Sequence, residues 1–212
     1  MTVDALLGAT ARVLTKEGYD RASTNKIAAA AGVSIGSLYQ YFPSKEALVA
    51  AVTERHTQDL SHVAQNTFVK AAGRPIEIGV RELVEAAIEA HLVDPKLHRV
   101  LAEEVPRTGR LANIEAVERD ALIFFRGYLE AHRGEIDIAD LDLAAFILVT
   151  TVEALTHAAV LRRPDILADE KAGEFVDEVT RLVLRYLRTP SPRRAPASRR
   201  GSQPPGVGSQ IR

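Results

Sequence analysis

The chain has 212 residues, 46% of them hydrophobic, and a formal net charge of −1, a balance that suits a globular protein long enough to bury a sizeable core. It has no cysteine, which excludes disulfides, thiolate catalysis and sulfur-ligated metals, and aromatics at only 5% beside abundant alanine and leucine favour helices over sheets. With no run of about 18 uncharged apolar residues and no basic-then-apolar leader, neither a membrane span nor secretion is expected, and a cytoplasmic protein is the simplest reading.

The charge is unevenly spread. Arg193, Arg194, Arg199, Arg200 and Arg212 fall in the last 24 residues, which have no acid, so the rest of the chain carries a net charge of −6. Residues 1–60 hold six basic and six acidic side chains. A general basic field therefore gives no argument for nucleic acid, and any such contact must come from local placement.

In chain order, residues 4–17 place Leu6, Thr10, Val13, Leu14 and Glu17 at helical spacing, and Gly18 ends that helix. Thr24 has the chemistry of an N-cap for a short alanine-rich helix through Ala31, with Ile27 and Ala31 one turn apart. Gly32 supplies the left-handed residue of a sharp turn. Ser34 caps a second short helix that turns Leu38 and Phe42 inward, and Pro43 stops it. Two short helices joined by a glycine turn make a helix-turn-helix, over about residues 23–42. Its outward residues, Ile35, Gly36, Ser37, Tyr39, Gln40 and Tyr41, are mostly small or hydrogen-bonding groups suited to DNA edges and phosphates.

Ser44 then caps a long helix from Lys45 to about Ala72, with Leu48, Val52, His56, Leu60 and Val63 as its stripe. Pro75 suits the first turn of the next helix, which carries Ile76, Val80, Val84, Ala87 and His91. Asp94-Pro95 reads as an N-cap and first position of a short helix from Lys96 to about Glu104. A helix from about Leu111 to His132 lines up Ile114, Val117, Ala121, Phe125 and Tyr128, with Gly134 ending it. Residues 140–161 are apolar almost all round, so that helix needs cover on every side. The last helix, about Asp169 to Leu187, has one stripe of Phe175, Val179, Leu182 and Tyr186 and a second of Val176, Val183 and Leu187. Two stripes imply two partners, its own domain and a second protomer. From Thr189 the Pro, Ser, Gly, Arg and Gln composition predicts a disordered tail.

The run Ala31-Gly-Val-Ser-Ile-Gly-Ser-Leu-Tyr-Gln-Tyr-Phe-Pro-Ser-Lys-Glu-Ala-Leu48 resembles the signature of TetR-family transcriptional regulators. The match is dense over the first quarter of the chain, and the remainder is similar in helical layout. Two positions depart from the family's habit: Ile35 stands where lysine or another polar residue is common, and Tyr41 where histidine is. The resemblance implies an all-α fold of about nine helices. It has a DNA-binding domain at 1–60, an effector-binding and dimerisation domain at 61–188, and the tail at 189–212. It implies a repressor released from a palindromic operator by a small molecule, acting as a homodimer through segments about 140–163 and 169–187. It places Thr24, Ser34, Gly36, Ser37, Tyr39, Tyr41 and Lys45 at the family's DNA-contact positions, with Thr24, Ser34, Tyr41 and Lys45 on the backbone; on the same outward face Gln40 suits an adenine edge, and Ile35 either meets a thymine methyl or contributes little.

His91, His98, Phe124, Phe125, Tyr128 and His157 are the candidate effector-binding residues, polar or aromatic groups amid aliphatics. Core or surface placement is the bland alternative for each. Glu153 and His157, spaced i, i+4, read as a hydrogen-bonded pair rather than a metal site, since no third ligand is spaced to join them. Glu135, Asp137, Asp140 and Asp142 read as a solvated loop that caps the next helix, lacking the glycine and terminal glutamate of a calcium loop. No catalytic, phosphate-binding or dinucleotide motif is present, so neither an enzyme nor a cofactor is expected. Two rivals stay open: a helical carrier or enzyme without DNA affinity, and a module whose first helices dock another protein.

Overall fold

The structure, a computed structural model, describes residues 2–71, 73–106 and 111–189, without the side chains of 63–64 and 111–118. The arginine-rich segment from 190 onward, and the expected stripe positions Val63, Ile114 and Val117, lie outside that description. Among the described residues there are nine α-helices, two short 3-10 turns and no strand, the all-α fold expected.

Helix α1 (Thr2–Glu17) packs across α2 (Thr24–Ala31) and the start of α4 (Lys45–Ala71), and α3 (Ile35–Tyr41) lies against α2. Glycines turn the chain where the sequence places them, Gly18 at φ 80° and Gly32 at φ 70°. The cap of α2 differs by one residue from expectation. Ser23, extended at φ −139° and ψ 155°, accepts the Lys26 amide, while Thr24 is already helical. Either hydroxyl can cap, and the extended backbone decides which does. Ser34 accepts the Ser37 amide at 3.0 Å and Ser44 accepts that of Ala47 at 3.2 Å, so α3 and α4 begin as read. The core here joins Leu6, Leu14, Ile27, Leu38, Leu48 and Val52, all fully buried, each worth about 1.5–3 kcal/mol of apolar burial.

That core also takes in Leu97, Val100 and Leu101 from α6 (Pro95–Glu103), far along the chain. Residue 60 therefore marks no break in packing: α4 runs straight through it, and α6 belongs to the N-terminal core. Asp94 caps α6, accepting the Leu97 amide at 3.0 Å. Helix α5 (Ile76–Leu92) starts one residue after Pro75, which sits at the cap rather than inside the first turn.

Helices α5, α7 (Leu111–Ala131), α8 (Leu141–Arg162) and α9 (Lys171–Arg188) form the second half with the distal part of α4. Ile76, Val80, Phe125, Leu129, Leu148, Val183 and Leu187 make its main core. Gly134 falls within a 3-10 turn, Arg133–Glu135, after α7 has ended at Ala131. Asp140 caps α8, accepting the Leu143 amide at 3.0 Å, and Asp142 pairs with Arg126 at 2.9 Å. On α9 the buried stripe is Val176, Val179, Thr180, Val183 and Leu187. Of the two expected stripes the second, Val176, Val183 and Leu187, faces the core; of the first only Val179 is buried, with Phe175 and Tyr186 half-buried and Leu182 exposed. Helix α8 is long and apolar enough to cross a membrane by length and composition, yet its residues Ala144, Ala145 and Leu148 lie in the bundle core. Leu143, Phe146 and Leu155 remain exposed on it.

Candidate DNA-binding face and effector cavity

The outer surface of α3 carries the groups the sequence placed there. Ile35, Gly36, Tyr39, Gln40 and Tyr41 are exposed, Ser37 is half-buried, and Leu38 is fully buried beneath them. A Cβ on Gly36 would meet nothing closer than the Ser34 hydroxyl at 3.8 Å, so this helix turn is open to close approach. Ser34 and Ser37 share a hydroxyl hydrogen bond at 2.9 Å, and Thr24 and Tyr39 one at 3.1 Å. The latter ties the first turn of α2 to the exposed rim of α3. Tyr41 has half its surface in solvent.

Lys45 is placed differently from expectation. Its ammonium donates to the Tyr19 carbonyl at 3.2 Å and sits 4.0 Å above the centre of the Tyr19 ring. The cation is thereby engaged as a brace between the start of α4 and the turn after α1. Glu104, just past α6, accepts the Tyr19 amide at 2.8 Å on the other side of that turn. The Tyr19 turn is thus held by two long-range partners, one from α4 and one from α6.

A cavity of about 660 Å³ opens between α4, α5, α6, α7 and α8, with α9 contributing Val183. Its wall has two characters. Phe68, Val80, Leu122, Phe125, Leu148 and Val149 make an apolar end. At the other end His56, His91, His98 and His157 converge from four different helices, with ring centres 4.9–5.8 Å apart among the contacting pairs. His56 Nε2 lies 3.1 Å from His98 Nδ1, so one of the two nitrogens donates to the other. His91 Nδ1 lies 2.7 Å from the Ala87 carbonyl and must carry a proton toward it, which leaves Nε2 as an acceptor while the ring is neutral. Burial pushes the imidazoles of His56 and His157 below the ordinary range.

Of the expected effector residues, the structure brings His91, His98, Phe125 and His157 to this cavity. Phe124 and Tyr128 do not line it. Phe124 stacks on Phe68 at 5.6 Å and is exposed, because neighbours on a helix point about 100° apart. Tyr128 packs on His132, with ring centres 4.3 Å apart, and its hydroxyl faces Gly79, where an added Cβ would collide with it. Burial raises the Tyr128 phenol to about 12. His56, read only as part of the long helix's stripe, and Phe68, which nothing in the sequence singled out, line the cavity as well. Glu153, read with His157 as a hydrogen-bonded pair, lines the cavity and acts on His157 through its charge.

Residues 6–52 match the family model of bacterial regulatory proteins, tetR family, and residues 75–187 that of the tetracyclin repressor-like C-terminal domain. The nucleoid occlusion factor SlmA of Glaesserella parasuis is 32% identical over 89 residues, 41% of this chain and 42% of SlmA. An uncharacterized HTH-type transcriptional regulator of Mycobacterium tuberculosis is 34% identical over 87 residues, 41% of this chain and 37% of that one. The chain thus aligns with less than half the length of these relatives. In fold it is similar to the fatty acid degradation regulator FadR of Bacillus halodurans, with a TM-score of 0.67 at 23% identity over 86% of this chain and 94% of that one. A glycine-turned recognition helix at one end, a helical bundle at the other, and a family model matched in each half have one meaning: the chain belongs to the TetR family of DNA-binding transcriptional regulators.

Proposed function

We propose that the protein is a cytoplasmic, ligand-responsive repressor that binds a palindromic operator as a homodimer and releases it when a small molecule occupies the cavity. The observation that carries this reading is that two helices serve both ends. Helix α4 begins beside the recognition helix and supplies Thr53, His56, Thr57 and Phe68 to the cavity wall. Leu101 of α6 belongs to the N-terminal core and lines the cavity as well. A ligand that favours one placement of these helices shifts the DNA-binding equilibrium by its differential affinity for the two states.

On DNA, Ser34, Ser37, Thr24, Tyr39 and Tyr41 take phosphate oxygens, Gln40 reads a base edge, and Ile35 meets a thymine methyl. Lys45 contributes through the brace on Tyr19 and its charge near the start of α4. The exposed Leu143 and Phe146 of α8 and Leu182 of α9 form the dimer contact. No cofactor is invoked.

The experiment is selection of bound duplexes from a random library by the purified protein at low and near-physiological salt. Half-sites about 34–36 Å apart, centre to centre, that survive the higher salt are expected. Binding without sequence preference that vanishes with salt would overturn the reading.

A further inference from the structure

We propose that the histidine-lined end of the cavity is a head-group subsite for a lipophilic organic cation, a protonated amine on an apolar body. This rests on the reading of the cavity as the effector site and names the class of molecule that enters it.

The first argument is charge. Among the described lining residues Glu153 is the only side chain with a formal charge at neutral pH, and none of them is a lysine or arginine. An anionic head would find no fixed counter-charge and a carboxylate beside it. The second is hydrogen-bonding polarity. His91 directs its proton to the Ala87 carbonyl and turns an acceptor nitrogen elsewhere, and Glu153 accepts only. An ammonium group, which only donates, is the complement of such a set. The third is shape. The polar groups lie at one end, and Phe68, about 18 Å along α4 from His56, marks the other. Phe68 and Phe125 line that apolar end and suit an apolar body.

A divalent metal shares the preference for acceptors, but among the described residues no three His, Asp or Glu side chains form a group that would hold one. The rings must be neutral to receive a cation. Asp94 and Asp59 act on His56 in favour of the charged form, Glu153 and Glu103 do so at His157, and Arg162 and the neighbouring His91 act against it. Desolvation outweighs the acids at both, so the site is receptive at neutral pH and closes to cations on acidification.

The test is calorimetric titration of the full chain with decylamine, decan-1-ol and decanoate, which share a chain and differ in the head. Near neutral pH decylamine is expected to bind about tenfold more tightly than either of the others. Glu153→Gln should bring the amine to the level of the alcohol. Acidification to about pH 5.5 should weaken the amine and leave the alcohol unchanged. Decanoate binding best, and tighter in acid, would make this an anion site and overturn the proposal. So would equal binding of amine and alcohol, or stoichiometric uptake of zinc or nickel by chelator-treated protein that is lost in His91→Ala. If none of the three molecules binds while operator selection succeeds, the cavity is no effector site and its reading falls together with this one. If the amine binds as expected but no operator is selected, only the DNA reading falls.

Discussion

At Gly32 a single backbone angle decides whether the recognition helix is aimed. Its φ of 70° lies where a side chain is crowded, and its amide closes onto the Ala28 and Ala29 carbonyls. Gly32→Ala should cost about 1–2 kcal/mol through the left-handed conformation alone, since space is open around the missing Cβ. A drop in melting temperature with an intact helical spectrum would show it, and an unchanged melt would mean the turn tolerates Cβ. Tyr128 is the opposite case. Its buried hydroxyl has no hydrogen-bond partner among the described residues, so it gives up hydration without return. Tyr128→Phe should raise stability by roughly 1 kcal/mol and leave ligand affinity unchanged, which denaturant melts and titration would check together. Loss of ligand binding in that variant would restore the role the sequence suggested for this residue.

Helices and their ends were the most legible level of this protein. Caps at Ser34, Ser44, Asp94 and Asp140, and turns at Gly18 and Gly32, were read from local chemistry because each is decided within four residues. The outward face of α3 followed from Leu38 and Phe42 at i, i+4. Ser23 against Thr24 was missed because two hydroxyls compete and only the backbone angle separates them. Which of the two apolar stripes of α9 meets the core stayed open in the sequence, because periodicity cannot say which side faces its own domain; the structure buries that of Val176, Val183 and Leu187. Three histidines of the cluster, His91, His98 and His157, were candidates from the sequence, but their meeting with one another and with His56 was not legible, since contacts between residues so far apart leave no local signal.

Two predictions belong to these elements. Glu104→Ala removes the acceptor of the Tyr19 amide and should cost about 1 kcal/mol locally. Hydrogen exchange at that amide should then speed up several-fold while exchange in α8 stays as it was. The second concerns pH. The imidazoles of His56 and His157 titrate lower folded than unfolded, so the unfolded chain takes up more protons on acidification. Their share of stability is complete above the ordinary histidine value of about 6.5 and is lost as pH falls through it toward the lowered folded values. The melting temperature should fall between about pH 7.5 and 5.5, and fall less in a His56→Gln, His157→Gln double variant. Equal slopes in the two proteins would assign the acid sensitivity elsewhere.

For the whole molecule, the proposed assembly rests on apolar residues left in solvent. Phe146 and Leu182 are about half exposed, on two helices expected to meet a second copy. Phe146→Glu with Leu182→Glu should give a monomer by sedimentation at micromolar concentration, with an unchanged helical spectrum and operator affinity reduced by at least about a hundredfold, because one half-site then binds alone. A dimer that survives both changes would move the interface to another face. Phe146 also lines the cavity, so the same variant reports whether dimer and ligand site depend on each other.

The unbroken run of α4 has a mechanical consequence. From His56 to Lys45 the helix acts as a rigid arm of roughly 16 Å, with one end in the cavity and the other beside the recognition helix. A tilt of about 5° about the cavity end moves the far end by about 1.4 Å, and two arms swinging in opposite senses in a symmetric pair change their separation by nearly 3 Å. That is close to the roughly 3.4 Å rise of one base step along a strand. In the proposed dimer, a molecule small enough to be enclosed by five helices would have gearing sufficient to throw two reading heads out of step with the groove, without melting a single turn.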